Sequence, residues 1–492
     1  MKLRCFFACL TVTLVASSAD VIADNKIALV NGTLIDPATS KVVPNALVVI
    51  EGDHITSVGQ QAPEVSTKGP RVIDCKGKFV LPGYIDTHVH FFQSGGLYTR
   101  PDGVDLTSVR PYKDEVAMIK HNLSDTFRRY LRSGITSVVD IGGPIWNFEM
   151  RKLANAEAKA PRVAAAGPLI SSVSRPQLDL GDPPIVKIDT PEQGREMVRK
   201  LAAQQPDYIK IWYIVPPAQP SSPSPAAAGS PAAGQSDVER AAIFRPVVHA
   251  VVDESHKLKF RVAVHATELE AARASAEEGA DLLVHSVTDK LVDDRFVKLL
   301  KEKGTFLTPT LVVFERYGRT FANKLELTSE EKAWGNPEII ASLDVTKLPA
   351  DKLPDRIKTA MANPAAVLGN IQKTYDIALK NLKTLQDAGV LIATGTDAGN
   401  IGTIHGPAIF REFQLMKEAG LTPMQILQCT TGNAAKVFGG EVGSKIGAIK
   451  PGNFADLVIL KSNPVDDIKN ASDIDSVMKN GVLYPADAIL PK

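Results

Sequence analysis

Eight short apolar runs, most of them separated by stretches of helical patterning, limit what this chain can fold into. They lie near residues 84–90, 135–140, 162–167, 207–213, 260–265, 281–285, 305–310 and 390–396. Runs of Val, Ile, Leu and Ala without polar alternation mark strands buried on both faces, as in parallel sheets. Stretches such as EVAMIKHNLSDTFRRYLRSG and FRPVVHAVVDESHKLK, which lie between them, read as helices. Repeated strand–helix alternation predicts an α/β fold, a TIM-like (β/α)8 barrel. A chain of 492 residues also has room for an accessory domain.

Several of the runs end in residues that carry chemistry. His88 and His90 lie in PGYIDTHVHFF, Lys210 in DYIKIWY and His265 in RVAVHATE. His285 lies in DLLVHS and Asp397 in LIATGTDAG. A polar residue at the end of a barrel strand points into the mouth, where active sites form. Residues two apart on a strand share a face, so His88 and His90 can reach one cation. A lone strand histidine is more often a hydrogen-bonded core residue. Four of the nine histidines at such ends argue against that reading. His54, His121, His249 and His256 lack any such setting.

In combination these motifs resemble the amidohydrolase superfamily. The chain is most similar to the branch with imidazolonepropionase-like and Xaa-Pro or Xaa-Arg dipeptidase-like enzymes. The likeness runs from VNGTLIDPAT at residue 30 to GAIKPGNFADLVIL, which ends at 460. It implies two divalent metal ions, zinc by the preference of imidazole ligands. His88, His90 and Asp397 would hold one, and His265 and His285 the other. Lys210 would be carboxylated and bridge both as a carbamate. Asp397 would also shuttle the proton from the attacking water to the leaving nitrogen. A mononuclear site on His88, His90, His265 and Asp397, with Lys210 an ordinary ion-paired lysine, is the alternative.

The implied activity is hydrolysis of an amide or peptide bond in a small substrate, such as a dipeptide or an N-acyl amino acid. A lactonase, esterase or cyclic-amide hydrolase of the same fold is the rival reading. A non-catalytic binding or assembly protein is a third, but such relatives lose metal ligands and this chain keeps them all. Dipeptidase-type members recognise a substrate carboxylate through Arg or Tyr from mouth loops, so Arg100 and Arg316 are candidates. Tyr213, just past Lys210, and His405, in the loop after Asp397, are further candidates for substrate contact.

Outside the barrel, taken as 81–445, segments 24–80 and 446–492 show short strands with turn signals and are expected to combine into a small β-sandwich. Two insertions interrupt the barrel. Residues 215–237 are rich in Pro, Ala, Ser and Gly and cannot bury a core. Residues 313–375 have helical, charged patterning and are expected to shape the pocket.

Residues 1–23 read as a secretory signal: Lys2 and Arg4, an apolar run from Cys5 to Ala16, then small residues with stops at Ala19 or Ala23. The run is too short for a membrane span. A secreted or periplasmic protein is expected, with no membrane association once the signal is removed. There Cys75 and Cys429 would form a disulfide or, the preferred reading, stay two separate buried hydrophobes. A net charge of +1 offers no basic stripe for a nucleic acid. The oligomeric state is open, and a homo-oligomer is compatible with the sequence.

Overall fold

The structure is a computed structural model that describes residues 26–60, 71–215 and 235–491. The expected signal, 1–23, and nearly all of the proline-rich insertion lie outside these residues. The chain opens with strands β1 (Lys26–Asp36), β2 (Lys41–Glu51), β3 (His54–Gln60), β4 (Arg71–Asp74) and β5 (Phe79–Pro82). Its middle holds β6 (Tyr84–Val89), β7 (Ile135–Asp140), β8 (Arg162–Ala165), β9 (Leu169–Ser171), β10 (Ile185–Lys187), β11 (Tyr208–Trp212), β12 (Arg261–His265), β13 (Leu282–Val284) and β14 (Phe306–Thr308). It closes with β15 (Leu457–Leu460), β16 (Ile474–Lys479) and β17 (Val482–Pro485).

The two ends share one sheet, in the order β17-β16-β15-β5-β1-β2-β3, with β4 also on β1. β15 runs antiparallel to β5, placing Leu457 opposite Pro82 and Leu460 opposite Phe79. The hydrogen bonding is continuous because β1 serves two partners along one edge. Ile27 to Val30 pair with β4, and Thr33 and Leu34 pair with β5. Leu29, Val48, Ile50, Val80, Leu457 and Met478 meet in one apolar cluster. Cys75 lies in that cluster and Cys429 in the larger one around the parallel strands, and both are free thiols. Burial pushes them up, to about 11 and about 12. The pair is therefore two buried hydrophobes.

Seven of the eight expected runs contain strands of two parallel sheets, β6-β7-β8 and β10-β9-β11-β12-β13-β14. The third run breaks between the sheets. β8 pairs with β7, and β9 pairs with β11. Between them stand Gly167, at φ 74, and Pro168, which has no N–H to donate. Asp207 N–H still bonds the Ala165 carbonyl at 2.9 Å.

The eighth run, 390–396, departs from expectation: it is not a regular strand. Isolated bridges join Ile392 to Leu307 and Ala398 to Val89. Ala393 N–H donates to Leu307 O at 2.9 Å on one side, and Thr87 N–H to Thr394 O at 2.9 Å on the other. The cause is the close approach of Gly395 to His88. A Cβ at Gly395 would stand 2.8 Å from His88 Cβ, so only glycine fits. Two residues later Asp397 turns into the left-handed region, at φ 59.

Residues 313–375 are largely helical. Their helices include Leu311–Phe321, Ser329–Trp334, Pro337–Ser342 and Asp355–Ala362, and Pro364–Asp387 runs on beyond. Phe321, Ile339 and Ile357 pack there against Leu97, Ile401 and Ile404. Among the described residues no helix is long and apolar enough to cross a membrane.

Candidate metal centre

Strand periodicity turns His88 and His90 to one side, and their Nε2 atoms lie 3.2 Å apart. Asp397 Oδ1 stands 3.3 Å from the first and 3.1 Å from the second. His285 joins them: it, His88 and Asp397 each offer a ligand atom, all within 4.8 Å of one another. The His265 ring follows, 4.4 Å from that of His285 between centroids. His285 therefore belongs with His88 and Asp397 as closely as with His265. These five residues and Lys210 line one cavity of about 320 Å³.

Neighbouring groups set the tautomers. His90 Nδ1–H donates to the Gly142 carbonyl at 2.7 Å, which leaves the Nε2 lone pair facing Asp397. His285 Nδ1 lies 2.6 Å from Thr310 Oγ1. Three non-glycine residues here adopt left-handed backbone: His285 at φ 77, Thr310 at φ 48 and Asp397 at φ 59. That conformation is costly for a β-branched threonine, and such strain clusters at functional sites. Hydrogen bonds hold it, among them Asp397 N–H to His88 O at 2.7 Å and His285 N–H to Thr308 O at 2.8 Å. Asp86, two residues before His88 and given no role from sequence, accepts from Thr396 Oγ1 at 2.6 Å and from the N–H groups of Thr396 and His88. It thus ties β6 to the Asp397 loop.

Burial takes His88 down to about 3 and holds His265 and His285 well below the usual imidazole range. Their rings are neutral at pH 7 and free to donate lone pairs. Burial also lowers the Lys210 amine to about 7. Lys210 Nζ and His88 Nδ1 are buried with no hydrogen-bond partner. Imidazole nitrogens and a carboxylate oxygen crowd within 3.3 Å. That is an electron-rich point which a divalent cation satisfies, and the donor set suits one.

The proposed substrate contacts divide. Arg100 lines the cavity. Tyr213 does not: its OH is spent on the Ala241 carbonyl and its ring packs on Phe244. Alternation along β11 puts Trp212, two residues past Lys210, into the cavity instead. His405 also lies outside that cavity. Its Nε2–H donates to Gln93 O at 2.7 Å, its Nδ1 accepts from Tyr130 OH at 2.8 Å, and it stacks on Phe91. Arg316 is fully buried against Glu331, at 2.9 and 3.0 Å. Val313, Phe314 and Tyr317 of the same helix line the wall instead. Asn400, three residues past Asp397, lines the cavity too and was not singled out from sequence. Its place in GTDAGN, on the loop that carries Asp397, was the available signal.

This constellation, gathered around the ends of parallel strands, could hold a divalent cation. The amidohydrolase family model matches residues 79–484. The chain therefore belongs to the amidohydrolase family and is a hydrolase acting on carbon–nitrogen bonds. It is similar to the ochratoxinase of Aspergillus niger, at 23% identity over 512 residues, 97% of this chain and 90% of that protein. The crystal structure of A. niger ochratoxinase matches with a TM-score of 0.65 and 21% identity, over 94% of this chain and 96% of that one. A Xaa-Pro dipeptidase with methionine bound in its active site matches with a TM-score of 0.66 and 22% identity, over 94% of this chain and 100% of that one. The shared fold is α/β, of the TIM-barrel type.

Proposed function

We propose that the protein is a two-metal, zinc-dependent hydrolase that cleaves the amide or peptide bond of a dipeptide or N-acyl amino acid. The observation that carries this reading is Lys210. Its Nζ is buried without a partner in the cavity that holds four histidines and Asp397. An ammonium there, among cations, has nothing to pair with. Addition of carbon dioxide to the free amine, with loss of a proton, turns it into an anionic carbamate with two ligand oxygens. His88, His90, His285, His265 and Asp397 complete the donor set. The dipeptide reading draws on the Xaa-Pro dipeptidase among the structural neighbours. The parallel strands are read as one closed eight-membered barrel with a small β domain beside it. The hydrogen bonds of 391–398 to both β14 and β6 support that closure.

Bound metal supplies Lewis-acid chemistry, making water nucleophilic at neutral pH and polarising the amide carbonyl. The rest falls to the side chains. Asp397 takes the proton of the attacking water and returns it to the leaving nitrogen. Trp212, Phe314 and Val313 line the cavity and exclude water from the apolar part of the substrate. Elemental analysis of the purified protein should approach two zinc ions per chain, and intact mass or electron density should reveal the carbamate on Lys210. One metal at saturation with an unmodified lysine would return the mononuclear alternative. Residues 1–23 are read as an export signal. Protein recovered from the native host should begin after Ala19 or Ala23, and an intact Met1 on cytoplasmic protein would reject that reading.

A further inference from the structure

We infer that Asn400 is a positioning residue that orients Asp397, and that Arg100 and Tyr317 act through it and not on the substrate. The inference rests on the reading of Asp397 as metal ligand and proton carrier. A chain of contacts runs from the protein interior to that carboxylate. Asp102, 2% exposed at its side chain, accepts from Arg100 Nε and Nη2, both at 2.7 Å. Arg175 Nε stands 3.4 Å from the same carboxylate. Arg100 Nη1 donates to Asn400 Oδ1 at 2.9 Å, and Tyr317 OH donates to the same oxygen at 2.5 Å. A guanidinium can only donate, so it fixes which end of the Asn400 amide faces it. The Nδ2 end is thereby turned to Asp397, donating to Oδ1 at 2.7 Å and to the backbone carbonyl at 3.3 Å.

That Oδ1 is the oxygen facing both Nε2 atoms of His88 and His90. Among the described residues no hydrogen bond falls on Oδ2. The two oxygens are thus made unlike. One is pinned towards the ligand histidines, and the other stays free to carry a proton. A donor at position 400 is required, because a carboxylate there would repel Asp397. The same geometry argues against Arg100 as the anchor of a substrate carboxylate. The Nε and Nη2 edge that would grip one bidentately is already filled by Asp102.

The test uses the full-length protein. Zinc affinity is measured by competition with a chelating dye, and kinetics on a dipeptide and on its C-terminal carboxamide. Asn400→Ala should weaken zinc binding about 10–100-fold, the usual cost of losing a group that orients a metal ligand. Arg100→Met and Tyr317→Phe should shift it the same way by less. For all three, kcat should fall while KM stays within about threefold, and equally for both substrates, since a positioning group senses no carboxylate. Tyr317→Phe removes a single hydroxyl, so it serves if Arg100→Met fails to fold. The inference is overturned if Arg100→Met raises KM for the dipeptide alone and leaves zinc affinity intact. It is also overturned if Asn400→Ala holds zinc as the parent does while Asp397→Asn loses it. Retention of zinc by Asp397→Asn would instead sink the metal-ligand reading of Asp397, and the positioning role would fall with it.

Discussion

Asp397→Asn is expected to lower kcat by about 10²-fold or more, the scale of a lost general acid–base group. The substitution is well matched in every respect but charge and basicity. Asn has the same shape, and it tolerates left-handed backbone better than most residues, so φ 59 imposes no new strain. Its carbonyl oxygen can still accept from Asn400 Nδ2. What disappears is the anionic oxygen between His88 and His90 and the group that can hold a proton. Because both roles sit on one residue, zinc content has to be measured beside turnover. A fall in kcat that persists at full zinc occupancy isolates the proton-transfer role, and near-normal turnover at full occupancy rules it out.

The second large effect is on stability and leaves substrate choice alone. Arg316 and Glu331 are both wholly buried and joined at 2.9 Å. Arg316→Met strands a buried carboxylate, which costs about 3–5 kcal/mol. Glu331 also closes the capping box of helix Ser329–Trp334 with Thr328, so its displacement frays that helix as well. The double replacement Arg316→Met with Glu331→Gln should recover much of the loss, since no charge is then left unpaired and Gln can still cap. Denaturant midpoints compared with the parent measure this. The ranking of substrates should be unchanged in the folded protein, because Arg316 points away from the cavity that Val313, Phe314 and Tyr317 line. A changed ranking at unchanged stability would restore Arg316 as a substrate contact.

Short apolar runs made the parallel strands legible, because burial on both faces leaves a compositional mark. The ends of those runs marked the residues that now surround one cavity. Two runs misled at their edges for a local reason. Gly167–Pro168 and Gly395 sit inside apolar stretches, and composition does not reveal that the backbone bends there. Substrate contacts were harder to read. Tyr213 is the residue singled out from sequence, although alternation from Lys210 picks the even-numbered neighbour, Trp212. Val313, Phe314 and Tyr317 line the cavity and Arg316 does not, but Arg316 is three residues from Val313 on the same helix, so the helical period alone does not separate them. Asn400 carries no residue-type signal. Its role comes from Arg100 and Asp102, about 300 positions away in the chain, and only the fold brings them together.

The shared terminal sheet has a consequence for biosynthesis. β5 lies between β1 and β15, and β15 is made about 375 residues later. Until the ribosome delivers it, β5 presents an unsatisfied apolar edge, the kind of template that recruits other chains. Joining ends so far apart carries a loop-closure cost that grows only slowly with length, but such non-local pairings form late. The sheet therefore acts as a clasp on the finished chain. A ribosome stalled before residue 457 would release a product with its parallel strands made and its clasp open. Such products should be the form that proteases and chaperones meet.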